Sequence, residues 1–233
     1  MSISAQPATL SAGRRRTRAL SLGASVVAAA SLAAAITAPS QAVAVPAAVA
    51  VPPNAAAVAN PAANRIVTAR IKATRVFVVG DSLTVGADPY IRQALGTSVR
   101  RVAINAQVGR FTSEGISLLS PQSPSRVWVV ALGTNDGPDA AATRAWVARV
   151  MALAGKRQVI IMTIVRPGGY HVVNQAMIDM RRRYRNLQVA DWATLIARNP
   201  SYLGRDGVHL TTSGYRLRGK VIAAAVRNSA ARP

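Results

Sequence analysis

Five apolar runs rich in β-branched residues recur along the chain and alternate with segments of helical pattern. The runs span 75–79, 99–104, 127–132, 159–164 and 187–190, and the helical patterns span 87–95, 112–119, 139–154, 172–184 and 212–228. Most of the runs are continuously apolar, as strands covered on both faces must be. The alternation predicts an α/β fold in which a five-stranded parallel sheet lies between two layers of helices.

Short polar motifs follow two of these runs, and a third motif stands near the C-terminus. Gly-Asp-Ser-Leu occupies 80–83 after the first run, Gly-Thr-Asn-Asp occupies 133–136 after the third, and Asp-Gly-Val-His occupies 206–209. Ligands of open parallel sheets bind beyond the carboxyl ends of the strands. The first two motifs are therefore predicted to share one edge of the sheet.

The motifs contain the groups that nucleophilic catalysis by serine needs. A serine hydroxyl is weak unless a base takes its proton, and the base needs an acid to orient it. Of the two histidines, His209 has Asp206 three residues before it, whereas His171 has no nearby acid and is interpreted as non-catalytic. Taken alone, Ser82 fits a helix N-cap or turn equally well.

Acyl transfer also needs hydrogen-bond donors for the oxyanion of the tetrahedral intermediate. The candidates are the Ser82 N–H, a backbone N–H of the glycine-containing loop 105–110, and the Asn135 side chain. By itself, Asn135 is also compatible with an ordinary turn asparagine.

In combination, these motifs resemble the four blocks of the SGNH, or GDSL, hydrolase family. The signature residues occur in family order, as Ser82, Gly109, Asn135 and His209. The resemblance implies a flavodoxin-like three-layer α/β/α fold, Ser82 as nucleophile and His209 as base oriented by Asp206. It also implies an oxyanion hole formed by Ser82 N–H, Gly109 N–H and Asn135, and no metal or organic cofactor.

A finer resemblance is to the extracellular SGNH domain of peptidoglycan O-acetyltransferases. It rests on Val-Gly-Arg at 108–110, the Trp128 strand, Val-Asn at 173–174, Asp-Trp at 191–192 and the motif from Asp206. Those proteins carry a multispanning acyltransferase domain before the SGNH domain, and they often have glycine where this chain has Asp136. The resemblance suggests that Arg110 holds a polar or anionic substrate group, with a plain surface arginine as the alternative.

The first 42 residues are typical of an export signal. Arginines at 14, 15, 16 and 18 precede an uncharged run at 19–38, and Ser-Gln-Ala at 40–42 suits signal peptidase. A retained membrane anchor is the alternative interpretation. Residues 43–71 are interpreted as a disordered Ala/Pro-rich linker and 72–230 as the catalytic domain. The protein is therefore expected to be secreted or associated with the cell envelope.

The chain is strongly basic, with 29 Lys and Arg against 8 Asp and Glu and a formal charge of +21. Such a charge attracts anionic cell-envelope polymers, although it can also serve only solubility. The basic run at 181–185 on a predicted helix fits a solvated face better than a specific nucleic-acid site. The chain has no cysteine, so it cannot form disulfides. We also expect the protein to be a monomer.

These observations predict an exported serine esterase that hydrolyses acyl esters, chiefly acetyl esters, with acylated cell-envelope glycans as the expected substrates. One alternative is an O-acetyltransferase that takes acetyl groups from a separate membrane partner. An alternative of another class is a non-catalytic envelope-binding protein in which the charge is the function.

Overall fold

The structure is a computed structural model that describes residues 61–233. The predicted export signal and the first part of the predicted linker lie outside these residues. The helices are α1 Pro61–Ala73, α2 Ser82–Leu95, α3 Thr112–Ser117, α4 Ala140–Ala154, α5 His171–Met180, α6 Trp192–Ala197 and α7 Thr212–Ala231. The strands are β1 Arg75–Gly80, β2 Arg101–Ala106, β3 Val127–Ala131, β4 Gln158–Met162 and β5 Leu187–Ala190.

The five strands form one sheet in the order β2-β1-β3-β4-β5, and every neighbouring pair is parallel. The chain moves to one side of β1 to form β2 and then returns to the other side to form β3. This reversal leaves a crevice beyond the carboxyl ends of β1 and β3, where open α/β sheets bind their ligands. The predicted α/β/α fold with a five-stranded parallel sheet is confirmed.

Side chains alternate between the two faces of the sheet and build a separate core on each. On one face, Val76 and Val78 of β1 pack in a cluster with side chains of α2, α6 and α7. On the other face, Val79 and Trp128 pack with side chains of α3, α4 and α5. Because both faces are covered, β3 and β4 are buried at every position, which explains their continuous apolar runs, whereas the edge strand β2 is partly exposed.

Helix α1 differs from the prediction, because its residues 61–71 belong to the predicted disordered linker. Pro61 suits the first helical position, and no further proline interrupts the segment before β1. Ile71 packs against the core, and the Arg70 guanidinium donates to the Ala231 carbonyl at 3.1 Å. The linker boundary is therefore corrected, since docking against α7 orders these residues.

The boundaries of two other helices differ from the predicted ones by four or five residues. Helix α2 begins at Ser82 instead of residue 87, and α5 ends at Met180 instead of residue 184. The short helix α6 was not predicted, and it begins where the Asp191 carboxylate accepts a hydrogen bond from the Thr194 N–H. Within residues 61–233, no helix combines the length and apolar character needed to span a bilayer.

Candidate active site

Ser82 is the first residue of α2, directly beyond the carboxyl end of β1. The buried Asp81 caps this helix, because its Oδ1 accepts a hydrogen bond from the Leu83 N–H at 3.0 Å. The preceding Gly80 has no space for a side chain, since a Cβ there would lie 2.0 Å from Thr84 Oγ1. The sharp strand-to-helix turn therefore presents the half-buried Ser82 hydroxyl at the edge of the sheet.

His209 reaches Ser82 from the loop that precedes α7. Its Nε2 lies 3.1 Å from Ser82 Oγ, and its Nδ1 lies 2.6 Å from Asp206 Oδ2. When Nδ1 carries the proton and donates to Asp206, Nε2 is free to accept the Ser82 proton. The structure thus brings Ser82, His209 and Asp206 into the hydrogen-bonded series that a serine nucleophile requires.

The Asp206 carboxylate is fixed by its own turn. Its Oδ1 accepts hydrogen bonds from the N–H groups of Val208 at 3.0 Å and His209 at 2.9 Å. The hydrogen bond from the His209 ring, aided by these two backbone donors, lowers the pKa of Asp206 from 3.8 to about 2. Asp206 is therefore an anion at neutral pH, able to hold the ring orientation and to stabilise an imidazolium.

Arg110 differs from the prediction that it contacts substrate. It is only 6% exposed, and its guanidinium donates to the carbonyls of Gly80 and Asn105 at 3.1 and 2.7 Å. It also donates to the side-chain oxygens of Asn105 and Gln107 at 2.8 and 3.3 Å. Its donors are thus taken up by the chain itself, and Arg110 ties the loop after β2 to the end of β1.

Gly109 lies in the turn that Arg110 anchors. Its φ of +75° lies in the left-handed region that favours glycine, and a Cβ there would meet no atom within 4 Å. Glycine is therefore required by the backbone conformation of this turn and not by a shortage of space.

Asn135 is held beside the same turn. Its Nδ2 donates one hydrogen bond to the Arg110 carbonyl at 3.1 Å, which leaves its second N–H available. The next residue, Asp136, accepts hydrogen bonds from the Thr112 N–H and hydroxyl, and its carbonyl accepts from the Tyr170 hydroxyl. These contacts fix the loop after β3 against α3 and α5.

The predicted oxyanion donors therefore border the carboxyl ends of three adjacent strands, β2, β1 and β3. Among residues 61–233, neither the Ser82 N–H nor the Gly109 N–H donates to a protein acceptor. Together with the free Asn135 N–H, they form a set of unused donors at the edge that carries the Ser82 hydroxyl. Such preorganised donors are what stabilises a developing oxyanion.

Sequence reasoning missed Arg218, which lies in the middle of α7. It is 2% exposed, and its guanidinium stacks 5.2 Å from the centre of the Trp192 ring. Burial lowers the pKa of Arg218, and the charge of the buried Asp81 opposes this shift. In the sequence Arg218 is one arginine in a helix rich in basic residues, so no local signal separates it from its exposed neighbours.

A cavity of about 380 Å³ adjoins the site on the side of Asp136. It lies between α3 and α4, and its lining includes Ile116, Trp146 and Arg149. Trp146 is half-buried and forms part of the cavity wall. Cavities that combine apolar and aromatic side chains with a few polar groups are typical of small-molecule sites.

His171, which was interpreted as non-catalytic, is exposed at the start of α5 and contacts none of the three residues of the hydrogen-bonded series. In the part of the chain that the structure describes, no group of three or more His, Asp or Glu side chains is placed to hold a metal ion.

Comparisons with known proteins identify similar sequences and folds. No family model matches the chain. The chain is 25% identical over 150 residues to the O-acetyltransferase OatA of Staphylococcus aureus, a match that covers 62% of this chain and 24% of that protein. The chain thus spans about a quarter of the length of this relative.

Two solved structures share the fold. The C-terminal catalytic domain of peptidoglycan O-acetyltransferase A from Streptococcus pneumoniae superposes with a TM-score of 0.59 at 23% identity, covering 69% of this chain and 97% of that one. The family 3 carbohydrate esterase of Clostridium thermocellum gives 0.53 at 14% identity, covering 66% and 99%. The resemblance to SGNH hydrolases and to O-acetyltransferase catalytic domains is confirmed.

Proposed function

We propose that this chain, which has the fold of the SGNH hydrolases, is an exported serine esterase that hydrolyses acetyl and similar short acyl esters. The observation that carries the proposal is the hydrogen-bonded series from Ser82 Oγ through the His209 ring to the Asp206 carboxylate, with distances of 3.1 and 2.6 Å. A helix cap or turn serine needs neither of these partners.

In the proposed reaction, Ser82 Oγ attacks the ester carbonyl carbon while His209 Nε2 takes the hydroxyl proton. The oxyanion that forms accepts hydrogen bonds from the Ser82 and Gly109 N–H groups and the Asn135 side chain, and each donor contributes about 3 kcal/mol. His209 then gives the proton to the leaving alcohol oxygen as the C–O bond breaks. This step leaves an acyl-enzyme on Ser82.

The second half of the reaction uses the same groups with water in place of the alcohol. His209 takes a proton from the water, the resulting nucleophile attacks the acyl carbon, and Ser82 leaves with the proton returned by His209. The products are the free acid and the regenerated serine. Asp206 remains an anion throughout, since its pKa of about 2 lies far below neutral pH.

The proposed substrates are O-acylated glycans of the cell envelope. Two observations support this class: the similarity to peptidoglycan O-acetyltransferase domains, and the cavity of about 380 Å³ with its half-exposed Trp146 beside the oxyanion loop. The predicted export signal at 1–42 would bring the enzyme to such substrates.

The test is hydrolysis of 4-nitrophenyl acetate by the wild type and by Ser82→Ala, with Ser120→Ala as a matched control at an exposed serine in the loop before β3, at the end of the sheet opposite Ser82. We expect Ser82→Ala to lower kcat by about 10⁴ or more and the control to leave it unchanged. Full activity of Ser82→Ala contradicts the mechanism.

A fluorophosphonate probe separates an enzyme from a non-catalytic envelope-binding protein. The probe should label the wild type and fail on Ser82→Ala, because only an activated serine reacts. If the wild type is not labelled and hydrolyses no ester, the non-catalytic alternative is correct.

Acetyl transfer to a glycan is the second candidate, favoured by the similarity to O-acetyltransferases. It shares the acyl-enzyme and differs only in whether water or a sugar hydroxyl attacks it. The two are distinguished by supplying 4-nitrophenyl acetate with a chitooligosaccharide acceptor and measuring acetylated sugar against free acetate. Acetate release that is unaffected by the acceptor, with no acetylated sugar, supports the esterase.

A further inference from the structure

Positive charge is concentrated at the amino ends of the strands, opposite the edge that holds Ser82. An arginine stands at or just before the start of each strand, and these residues form what we call the basal arginine row. In the order of the sheet, its members are Arg101 on β2, Arg75 on β1, Arg126 before β3, Arg157 before β4 and Arg185 before β5.

Backbone contacts hold most of this row in register. Arg75 and Arg101 are paired residues of adjacent strands, the Arg126 N–H donates to the Arg75 carbonyl, and the Gln158 N–H donates to the Arg126 carbonyl. Further exposed cations flank the row at Lys72, Arg100, Lys156, Arg181, Arg182, Arg183 and Arg232. The positive charge of this face is thus set by the rigid sheet and its connections.

Carboxylates do not neutralise this face. Within residues 61–233, the ion pairs are Arg92 with Asp88 and His209 with Asp206, and neither involves the basal row or its flanking cations. The acidic residue nearest in sequence to these cations is Asp179, two residues before Arg181, and it accepts a hydrogen bond from the Gln175 side chain. Like charges held side by side repel, and a bound anion would relieve that repulsion.

Two cavities in this face are lined by arginine. One, of about 300 Å³, has Arg181, Arg185 and Arg232 in its wall near β5. The other, of about 290 Å³, has Arg75 and Arg101 in its wall near β1 and β2. Guanidinium groups present planar pairs of N–H donors that match the oxygens of a phosphate group.

We propose that the two cavities bind separate phosphates of one linear phosphodiester polymer, which crosses the basal arginine row between them. Within the row, the Arg126 and Arg157 guanidinium groups donate to chain carbonyls and contribute positive charge, while the arginines of the cavities supply the phosphate contacts. Strands lie about 4.8 Å apart, so β1 and β5, three steps apart, place the cavities about 15 Å from each other. One small anion cannot reach both cavities, whereas an extended chain can cross the row between them.

The chemistry of the face favours a polymer without bases or lipid tails. Single-stranded nucleic acids bind where exposed aromatic rings stack on the bases, and bilayers take inserted apolar side chains. The large apolar side chains that are exposed among the described residues lie outside both cavities: Ile66, Val85, Val108, Phe111 and Leu118. Each cavity contains one aromatic residue, Tyr184 in the first and Phe77 in the second, and both are half-buried.

The position of the basal arginine row also fits a role in anchoring the protein to the polymer. A strand of the length of β1 separates the row from Ser82 by about 17 Å, at roughly 3.3 Å per residue. A polymer bound at the amino ends therefore leaves the catalytic edge open to substrate. This inference concerns a second surface and does not depend on the proposed esterase activity.

The test is binding of a fluorescent poly(glycerol phosphate) oligomer to the full chain, followed by anisotropy at several salt concentrations. The variant is the triple substitution Arg181→Gln, Arg185→Gln, Arg232→Gln. The matched control removes the same charge from exposed residues elsewhere, as Arg144→Gln, Arg198→Gln, Lys220→Gln. We expect the first variant to weaken binding about tenfold or more and to lower its salt dependence, and the control to retain most of the affinity.

The far-UV circular dichroism spectrum and Tm of the triple variant should match those of the wild type, which shows that the variant folds, and any hydrolysis of 4-nitrophenyl acetate should continue at the wild-type rate. The proposal is overturned if both triple variants lose affinity equally, since net charge alone would then explain binding. It is also overturned if monomeric glycerol phosphate binds as tightly as the oligomer, or if oligo(dT) or phosphatidylglycerol vesicles bind while the oligomer does not.

Discussion

Asp206 combines two tasks in a single exposed side chain. One oxygen holds the backbone of its own turn, and the other holds the His209 ring. The orientation of the base therefore depends on a carboxylate whose position is set locally, within four residues. Local positioning explains why the Asp-x-x-His spacing is visible in the sequence before any tertiary contact is known.

The lowered pKa of Asp206 predicts a pH dependence of stability. A carboxyl whose pKa is lower in the folded than in the unfolded state stabilises the fold above the unfolded value, and this contribution is lost as the pH falls through the folded value. For Asp206 the window runs from 3.8 down to about 2. We expect the Tm of the wild type to exceed that of Asp206→Asn near neutral pH, with the difference shrinking across this window.

Thermal unfolding followed by circular dichroism measures this difference at a series of pH values. A difference that stays constant from neutral pH to about pH 2 contradicts the prediction. The same Asp206→Asn variant should hydrolyse 4-nitrophenyl acetate about 10² to 10⁴ times more slowly, because an amide no longer stabilises the His209 imidazolium.

At the scale of elements, the site depends on how α2 and α7 pack. Helix α2 begins with Ser82, and α7 begins three residues after His209. Two glycines let the helices approach closely: a Cβ at Gly219 would lie 2.6 Å from the Tyr90 carbonyl carbon, and one at Gly86 would lie 2.4 Å from the Tyr215 ring. The distance between nucleophile and base is therefore linked to the spacing of these helices.

Asp81 and Arg218 join the same two helices electrostatically. Both are buried, and within the described residues Asp81 Oδ2 and the Nε and Nη1 atoms of Arg218 have no hydrogen-bond partner. Their interaction is thus one of charge across the interior, beneath the turn that presents Ser82. A buried pair of this kind favours a specific arrangement more than it adds stability.

We predict that Gly219→Ala destabilises the protein by about 1–3 kcal/mol, although alanine is the better helix former. The new methyl group would meet the backbone of α2 at Tyr90, which cannot rotate away. We also expect a lower kcat, because separating the helices lengthens the Ser82–His209 contact.

Urea unfolding and ester hydrolysis measure the two effects of Gly219→Ala. Gly137→Ala is the matched control for the urea measurement, since a Cβ at Gly137 would meet no atom within 4 Å. Unchanged stability and activity of Gly219→Ala would show that the α2–α7 spacing does not limit the site.

Across the whole molecule, carboxylates are frequent at the carboxyl ends of the strands, and the basal row places positive charge at the amino ends. Asp81, Asp136 and Asp191 directly follow strands or lie in the loops after them, and Asp206 lies in the active site. Carboxylates therefore cap helices and orient catalytic groups at the carboxyl ends of the strands. The arginines of the basal row lie at the amino ends.

The net charge predicts how salt affects stability. Residues 61–233 carry 25 of the 29 basic residues and all 8 acids, because the other four are the arginines at 14, 15, 16 and 18, so their formal charge is 25 − 8 = +17. We expect the free energy of unfolding in urea to rise between low and moderate NaCl, since salt screens the repulsion. A free energy that falls with salt would show that attractive pairs dominate.

The sequence by itself determined the sheet and the edge that carries the site. All five strands lie within two residues of their predicted positions, because strands packed against helices contain runs of apolar side chains. The motifs at Ser82 and Asn135 follow directly from strand ends, so a parallel sheet necessarily places them together. These conclusions need only local pattern and topology.

Tertiary structure alone decided which side chains meet. Ser82 and His209 are 127 residues apart, Arg110 is occupied by carbonyls of β1 and β2, and Arg218 faces Asp81 in the interior. Residues 61–71 form a helix because α7 gives them a surface to pack on. The hydrophobic periodicity of a sequence indicates whether a side chain is buried. Which residue that side chain contacts depends on how elements distant in sequence pack together.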